Sequence, residues 1–199
     1  MKTIEFYYDF GSPNAYLVHK VLPRIVARAG GTAASVIYRP MYLGGVFRAT
    51  GNASPGLAGV KGKMEYLLRE KDRFVKRHDL PFVWNPHFPI NSIHLMRGAV
   101  FAQGKPWERS YIDAVFKACW VSGDNMSDAM VIRKELAAEA LPFAAIMDAV
   151  QSPDVKAALF AATDAAVARG VFGAPTMFVG DEMFFGKDSL AEMEAEILM

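Results

Sequence analysis

The sequence has almost no cysteine. Cys119 is the only one among its 199 residues, which excludes an intrachain disulfide framework and a Cys-x-x-Cys redox pair. Metal ligands at useful spacing are equally scarce, because His87 and His94 have no second pair beside them at the spacing of a zinc site. We therefore expect no metal site and no disulfide exchange at a thiol of this chain.

The sequence also lacks an excess of charge and long apolar runs. Its 22 basic and 21 acidic residues give a formal net charge of +1, which predicts no nucleic-acid partner. Glu5 and Asp9 interrupt the only candidate for a secretory signal, and no run approaches the roughly 18 apolar residues of a membrane span. With 52% hydrophobic residues, the chain is expected to be a folded, cytoplasmic protein with no membrane partner.

What is present begins with a strand, a helix and a second strand. Residues 3–9 are rich in β-branched and aromatic side chains, which favours a strand. Apolar residues at helical spacing follow Ser12 and Pro13 and end at two consecutive glycines, and residues 34–38 form the second strand. The default connection between two such strands is a right-handed parallel crossover.

The remaining pattern predicts one sheet that is split by a helical insertion. Residues 41–60 look like a loop because they hold five glycines and a proline, and the sequence is largely helical for about 90 residues after that. The chain closes with a helix, two short strands joined at Gly180-Asp181, and a last helix. We predict an α/β thioredoxin-like fold, with residues 1–45 and 153–199 in the thioredoxin-like domain and 46–152 in an all-helical inserted domain.

Ser12 is the first candidate for chemistry. It stands where the first strand ends and the first helix begins, and the free N–H groups and positive dipole end of a helix N-terminus attract anions. A hydroxyl there can hold a thiolate or another anion. The alternative is that Ser12 is only a helix cap, a common role for serine. A serine nucleophile is disfavoured, because no neighbouring base or Gly-x-Ser-x-Gly turn surrounds it.

Pro175 is the second candidate, at the start of the strand that begins with Thr176. If the bond before it is cis, the backbone of Ala174 turns outward and can pair with an extended ligand as a strand would. The alternative is an ordinary trans-proline at a strand entry.

Residues 9–13 and 171–188 together resemble the 2-hydroxychromene-2-carboxylate isomerases, which are close relatives of the kappa-class glutathione transferases. The resemblance extends in the same order to residues 43–52, 55–61, 89–92 and 96–97, so it spans nearly the whole chain. The segment around Pro175 alone would match the wider DsbA-like superfamily, whereas residues 12 and 52–61 make the match narrower.

The resemblance implies glutathione as cofactor and a homodimer. It assigns six residues to the tripeptide: Ser12, Asn52, Lys61, Ala174, Pro175 and Asp188. In this assignment Ser12 faces the sulfur, and the backbone of Ala174 and cis-Pro175 clasps the cysteinyl part. Lys61 contacts the glycyl carboxylate, and Asp188 receives the γ-glutamyl ammonium.

The implied activity is glutathione-dependent interconversion of 2-hydroxychromene-2-carboxylate and trans-o-hydroxybenzylidenepyruvate by reversible thiolate addition. The alternatives are a kappa-type transferase or peroxidase, and a non-catalytic glutathione-binding module. A small aromatic carboxylate needs a cation and an apolar wall. The candidates for the cation are Arg48, Lys63 and Arg97. The candidates for the wall are Phe82, Trp84, Phe88 and Trp120.

Overall fold

A computed structural model of the protein describes residues 2–31, 34–54 and 59–199. Its strands are β1 (Lys2–Tyr8), β2 (Ala34–Pro40), β3 (Thr176–Val179) and β4 (Glu182–Phe185). Its α-helices are α1 (Pro13–Arg28), α2 (Leu43–Thr50), α3 (Lys63–His78), α4 (Ile93–Ala102), α5 (Glu108–Lys117), α6 (Ala129–Ala138), α7 (Phe143–Gln151), α8 (Pro153–Ala168) and α9 (Leu190–Leu198). A π-helical turn, Ala118–Ser122, follows α5, and a 3₁₀ turn, Lys187–Ser189, precedes α9. Among the described residues, no helix is both long and apolar enough to cross a membrane.

The four strands form one sheet in the order β2-β1-β3-β4. β1 and β2 run parallel, with Lys2 opposite Ala34 and Tyr8 opposite Pro40. β3 pairs antiparallel with β1, and β4 returns from β3 as a hairpin. This arrangement confirms the predicted thioredoxin-like topology, in which both ends of the sequence contribute to one sheet and the helices from α3 to α7 lie between them.

An aromatic core joins the sheet to the helical part. The ring of Tyr8 lies 5.7 Å from Phe116 on α5, and the ring of Phe10 lies 4.8 Å from Phe116. Such tilted and edge-on contacts add to the stabilisation that burial of each ring provides.

The predicted domain boundary between residues 45 and 46 falls inside α2, and the one between residues 152 and 153 falls at the start of α8.

The prediction of a loop over residues 41–60 was wrong for α2. Gly44 and Gly45 in its first turn are poor helix formers, and they hid the helix in the sequence. Both fit the close packing: a β-carbon on Gly44 would lie 2.7 Å from the ring of Tyr42, and one on Gly45 would lie 3.0 Å from Thr163 on α8, so a larger residue would displace these side chains. Tertiary packing therefore overrides the low helix propensity of the segment.

A polar network that includes a buried histidine joins α1 to β2 and α5. His19 is 1% exposed, and its Nδ1 lies 3.0 Å from the hydroxyl of Tyr38. Its Nε2 lies 2.8 Å from a carboxylate oxygen of Asp113, which also pairs with Arg109. Burial lowers the pKa of His19 and outweighs the hydrogen bond to Asp113, which acts to raise it. Folding therefore disfavours the protonated form of this ring relative to the unfolded chain.

We expect acid to destabilise the protein through His19. The unfolded chain takes up a proton as the pH falls through about 6.5, whereas the folded chain does so only at lower pH. The urea midpoint should therefore fall between about pH 7.5 and about pH 5.5, and His19→Gln should make this fall smaller. Burial also lowers the pKa values of His78 and His94, but these residues contribute the same loss of stability in the unaltered protein and in His19→Gln. Equal falls in the two proteins would contradict the expectation.

Candidate active site

A cleft of about 420 Å³ lies between the end of the sheet and the helical part. Its walls come from the N-terminus of α1, the start of α2, one face of α3, residues 84–92 and the segment that enters β3, and from residues 185–188. Its size is that of a site for a small organic ligand. We call this space the cleft.

Ser12 connects the two motifs that the sequence singled out. Its Oγ accepts a hydrogen bond from the backbone N–H of Ala15 at 3.2 Å, so it caps α1. The same hydroxyl donates to the carbonyl oxygen of Ala174 at 3.1 Å. The N-terminus of α1 and the segment before β3 thus meet at one hydroxyl, in the wall of the cleft. Ser12 is a cap, and it also faces a space large enough for a ligand.

The bond between Ala174 and Pro175 is cis, so of the two alternatives for this proline the structure has the cis form. The carbonyl of Pro175 accepts from the N–H of Gly186 at 2.9 Å, and the hydroxyl of Thr176 donates to the carbonyl of Gly173 at 2.8 Å. These bonds fix the backbone on both sides of Ala174, which lines the cleft.

A buried carboxylate organises the floor beside Ser12. Asp9 is fully buried, and its two oxygens accept from the N–H groups of Gly11 at 2.8 Å and Leu43 at 2.7 Å. The hydroxyl of Ser92 donates to it as well. Burial raises the pKa of Asp9, and these three hydrogen bonds oppose the rise. The carboxylate ties the loop before α1 to the start of α2 and to the start of α4.

The other residues assigned to glutathione are only partly brought together. Asn52 lines the cleft, and its side-chain N–H donates to the carbonyl of Phe172 at 2.8 Å, which ties the end of α2 to the segment before β3. Asp188 lines the cleft as well. Lys61 is exposed just before α3 and does not line the cleft. Within the segment 55–61 that carried part of the resemblance, residues 55–58 lie outside the described residues.

Lys187 changes the electrostatics around Asp188. It is 2% exposed, and its ammonium makes an ion pair with Glu70 and reaches both carboxylate oxygens of Asp188 at 3.0 and 3.1 Å. The Asp188 side chain is 77% exposed and can still accept further donors. An arriving ammonium group would therefore meet a carboxylate that already has one cation beside it.

Two of the four predicted wall aromatics line the cleft. The rings of Trp84 and Phe88 lie 4.9 Å apart and both face it. Phe82 and Trp120 stack behind them, with their rings nearly parallel and 6.1 Å apart. Trp120 is fully buried and donates from its indole to the carbonyl of Phe10 at 2.8 Å, so it belongs to the core.

The cleft holds a cation that the sequence pattern did not single out. Arg48, Lys63 and Arg97 are not among the lining residues, whereas Lys71 is. A signal was present: Lys71 stands four residues after Leu67, at the spacing of the apolar face of α3. A lysine inside an apolar stripe indicates either a partner or a ligand for its charge.

No thiol of the protein reaches the cleft. Cys119 is fully buried in the π-helical turn after α5, and burial raises the pKa of its thiol well above the usual range. Such a cysteine is not a nucleophile at neutral pH. Because it is the only cysteine of the sequence, any sulfur chemistry at Ser12 needs a thiol from outside.

The sheet order and the cis-proline segment facing the N-terminus of α1 define a thioredoxin-fold protein of the DsbA-like class, and the model of the DSBA-like thioredoxin domain family matches residues 3–198. A 2-hydroxychromene-2-carboxylate isomerase of Sphingobium xenophagum is 30% identical over 197 residues, 99% of this chain and 98% of that protein. One from Pseudomonas sp. (strain C18) is 31% identical over 193 residues, 96% of this chain and 88% of that protein. The chain therefore belongs to the family of 2-hydroxychromene-2-carboxylate isomerases, as the resemblance predicted.

A solved structure supports the same assignment. A 2-hydroxychromene-2-carboxylate isomerase structure matches with a TM-score of 0.86 and 28% identity, and the match covers 98% of this chain and 94% of that one. The likeness extends over the sheet and the helical part alike.

Proposed function

We propose that the protein is a glutathione-dependent isomerase that interconverts 2-hydroxychromene-2-carboxylate and trans-o-hydroxybenzylidenepyruvate, or a close analogue. The family membership supports the isomerase class. The observation that carries the glutathione part is Ser12: its hydroxyl lies at a helix N-terminus in the cleft, facing the cis-proline segment, and the chain has no thiol of its own there.

The cleft fits a tripeptide thiol. The outward segment around Ala174 offers backbone groups for an extended peptide. The side-chain oxygen of Asn14 is buried at the cleft without a hydrogen-bond partner among the described residues, so it can accept from an amide of a bound peptide. Asp188, which also lines the cleft, can accept from an ammonium group. When bound, glutathione would supply a thiolate whose reversible addition to a conjugated carbon permits rotation about the former double bond.

Ser12 and the helix would stabilise the thiolate. A free thiol has a pKa of about 8.5, and a helix N-terminus with a hydroxyl donor lowers such a value. On thiolate binding, the Ser12 hydroxyl would turn its proton from the carbonyl of Ala174 towards the sulfur, while its oxygen still caps α1. The serine is thus a donor to an anion and does not itself attack the substrate.

The aromatic part of the substrate would lie against Trp84 and Phe88. Their rings give the helical side of the cleft an apolar face, and Phe47 and Leu67 extend it. An apolar wall with few polar groups orients a planar aromatic ligand and keeps water from the reacting carbon.

The proposed function is tested by turnover of 2-hydroxychromene-2-carboxylate with and without reduced glutathione. Isomerisation should require the thiol, and after many turnovers the amount of reduced glutathione should be unchanged. S-Methylglutathione, which keeps the peptide but has no free thiol, should bind and inhibit. Calorimetry at millimolar glutathione measures binding directly.

The rival functions give different results in the same assays. Loss of glutathione in proportion to product would indicate a kappa-type transferase. Binding of the tripeptide with no turnover would indicate a non-catalytic glutathione-binding module. No heat with glutathione, or full isomerisation without it, would overturn the proposal.

A further inference from the structure

We propose that Lys71 on α3 binds the carboxylate of the aromatic substrate, with Trp84 beside it as the stacking surface. This inference rests on the proposed function for the identity of the substrate. It adds a residue that selects among aromatic compounds. The cleft would prefer those whose ring stacks on Trp84 and whose anionic group reaches the ammonium of Lys71.

The contacts of Lys71 leave its charge available. The residue is 5% exposed and lines the cleft. Its ammonium donates one long hydrogen bond, 3.4 Å, to the carbonyl of Leu67 in its own helix. It lies 5.4 Å from the centre of the Trp84 ring, a cation–π distance. Across the described ranges, no carboxylate oxygen comes within 4.0 Å of this ammonium, since no ion pair of Lys71 is found.

Two of the carboxylates near Lys71 are already paired with another lysine. Glu70, the residue before Lys71, is held by Lys187, and Lys187 also holds Asp188. The two buried lysines of this wall therefore differ: Lys187 has two carboxylates, and Lys71 has a helix carbonyl and a ring. Burial is the main cause that lowers the pKa of Lys71, and the charge of Lys187 adds to it. The carboxylates of Glu70, Asp72 and Asp188, beyond ion-pair distance, oppose the lowering without cancelling it.

An anion bound in the cleft would give the buried ammonium of Lys71 the ion pair that it lacks among the described residues. An ammonium with unused donors in a partly dry wall gains more from a carboxylate than the same group in water does. Because Trp84 lies beside Lys71 and Phe88 packs against Trp84, the anion that fits is one attached to a planar aromatic frame. The backbone segment at Ala174 and the Ser12 hydroxyl, which suit the tripeptide, belong to the α1 and β3 side of the cleft.

The test compares an anionic and a neutral probe of one shape. Calorimetry or inhibition with trans-cinnamate and trans-cinnamamide, at saturating glutathione, should show a preference of about tenfold for the carboxylate in the unaltered protein. Lys71→Met keeps the length and removes the charge, and it should abolish this preference, whereas Lys71→Arg should retain part of it. Lys76→Met, an exposed change on the same helix, is the matched control and should keep the preference.

The variant should fold, because a methionine in place of an unpaired buried lysine removes a desolvated charge. With the isomerase substrate, Lys71→Met should raise KM by about tenfold with a smaller change in kcat, and calorimetric binding of glutathione should be unchanged. A weaker binding of glutathione together with an intact preference for cinnamate would overturn the inference, since Lys71 would then serve the tripeptide.

The binding measurements with cinnamate do not need turnover. The proposed isomerase function and the proposed role of Lys71 can therefore be refuted independently. A preference for cinnamate that depends on Lys71, in a protein that does not isomerise the chromene, would overturn the proposed function and keep this inference. Glutathione-dependent isomerisation with no such preference would overturn this inference alone.

Discussion

Ser12→Ala should reduce kcat/KM of the proposed glutathione-dependent isomerisation by about 100-fold, the cost of removing one donor aimed at a developing or bound anion. The same change should raise the pKa of bound glutathione by about 2 units, because a factor of 100 in an equilibrium corresponds to that shift. Ultraviolet absorbance of the thiolate, followed against pH in the enzyme–glutathione complex, measures the pKa. Steady-state rates on the same samples measure the effect on catalysis.

The serine has a structural role that must be separated from the chemical one. Removing the cap of α1 should cost about 1 kcal/mol of stability. Ser152 offers a matched control: it caps α8, also accepts at 3.2 Å from the N–H three residues later, and is also followed by a proline. Ser152→Ala should lose the same stability and keep the activity and the thiol pKa. If Ser12→Ala behaves like Ser152→Ala in every assay, Ser12 has no part in the mechanism.

Asp9→Ala should lower the free energy of unfolding by about 3 kcal/mol, a larger loss than removal of a helix cap causes. The alanine would leave the N–H groups of Gly11 and Leu43 without their acceptor in a partly buried place, and each unpaired buried group costs about 1–3 kcal/mol. For a chain of this length the melting temperature should fall by about 6–12 °C. Denaturant titration and calorimetry measure the two quantities.

Two further substitutions test the cause. Asp128 accepts from the N–H of Met130 at 2.7 Å at the start of α6, but it is exposed. Asp128→Ala should therefore cost no more than about 1 kcal/mol, because water can replace the carboxylate. The stability loss of Asp9→Asn should lie between these two losses, because the asparagine oxygen can still accept one hydrogen bond while its NH₂ group must face the other donor. Equal losses for Asp9→Ala and Asp128→Ala would show that burial of the Asp9 hydrogen bonds does not matter.

The local features of the site were predictable because they depend on neighbours in the sequence. Ser12 precedes a proline and a helical pattern, and these are enough to predict a cap and a helix N-terminus. Pro175 before a short apolar strand predicted the strand entry, and the family resemblance, which the comparisons confirm, implied the cis bond. The parallel pairing of β1 and β2 followed from the parallel crossover that is the default connection of a strand–helix–strand unit.

Other features depend on contacts between distant parts of the chain. The hydrogen bond from Ser12 to Ala174 joins residues 162 positions apart, and no local pattern encodes its geometry. Phe82, Trp84, Phe88 and Trp120 were equal candidates in the sequence. Only the packing of the helical part decides that two of them face the cleft and two lie behind.

The sequence by itself determined the order of the strands, the helix after β1, the cap of α1 and the absence of a cysteine beside Ser12, because periodicity, capping and composition are local or additive properties. The tertiary structure decided where the glycine-rich start of α2 lies, that Asp9 is buried among three donors, and that Lys71 lines the cleft with no ion pair to a carboxylate among the residues that the structure describes. The physical reason is that burial and charge pairing depend on which surfaces meet, and those surfaces belong to segments far apart in the chain.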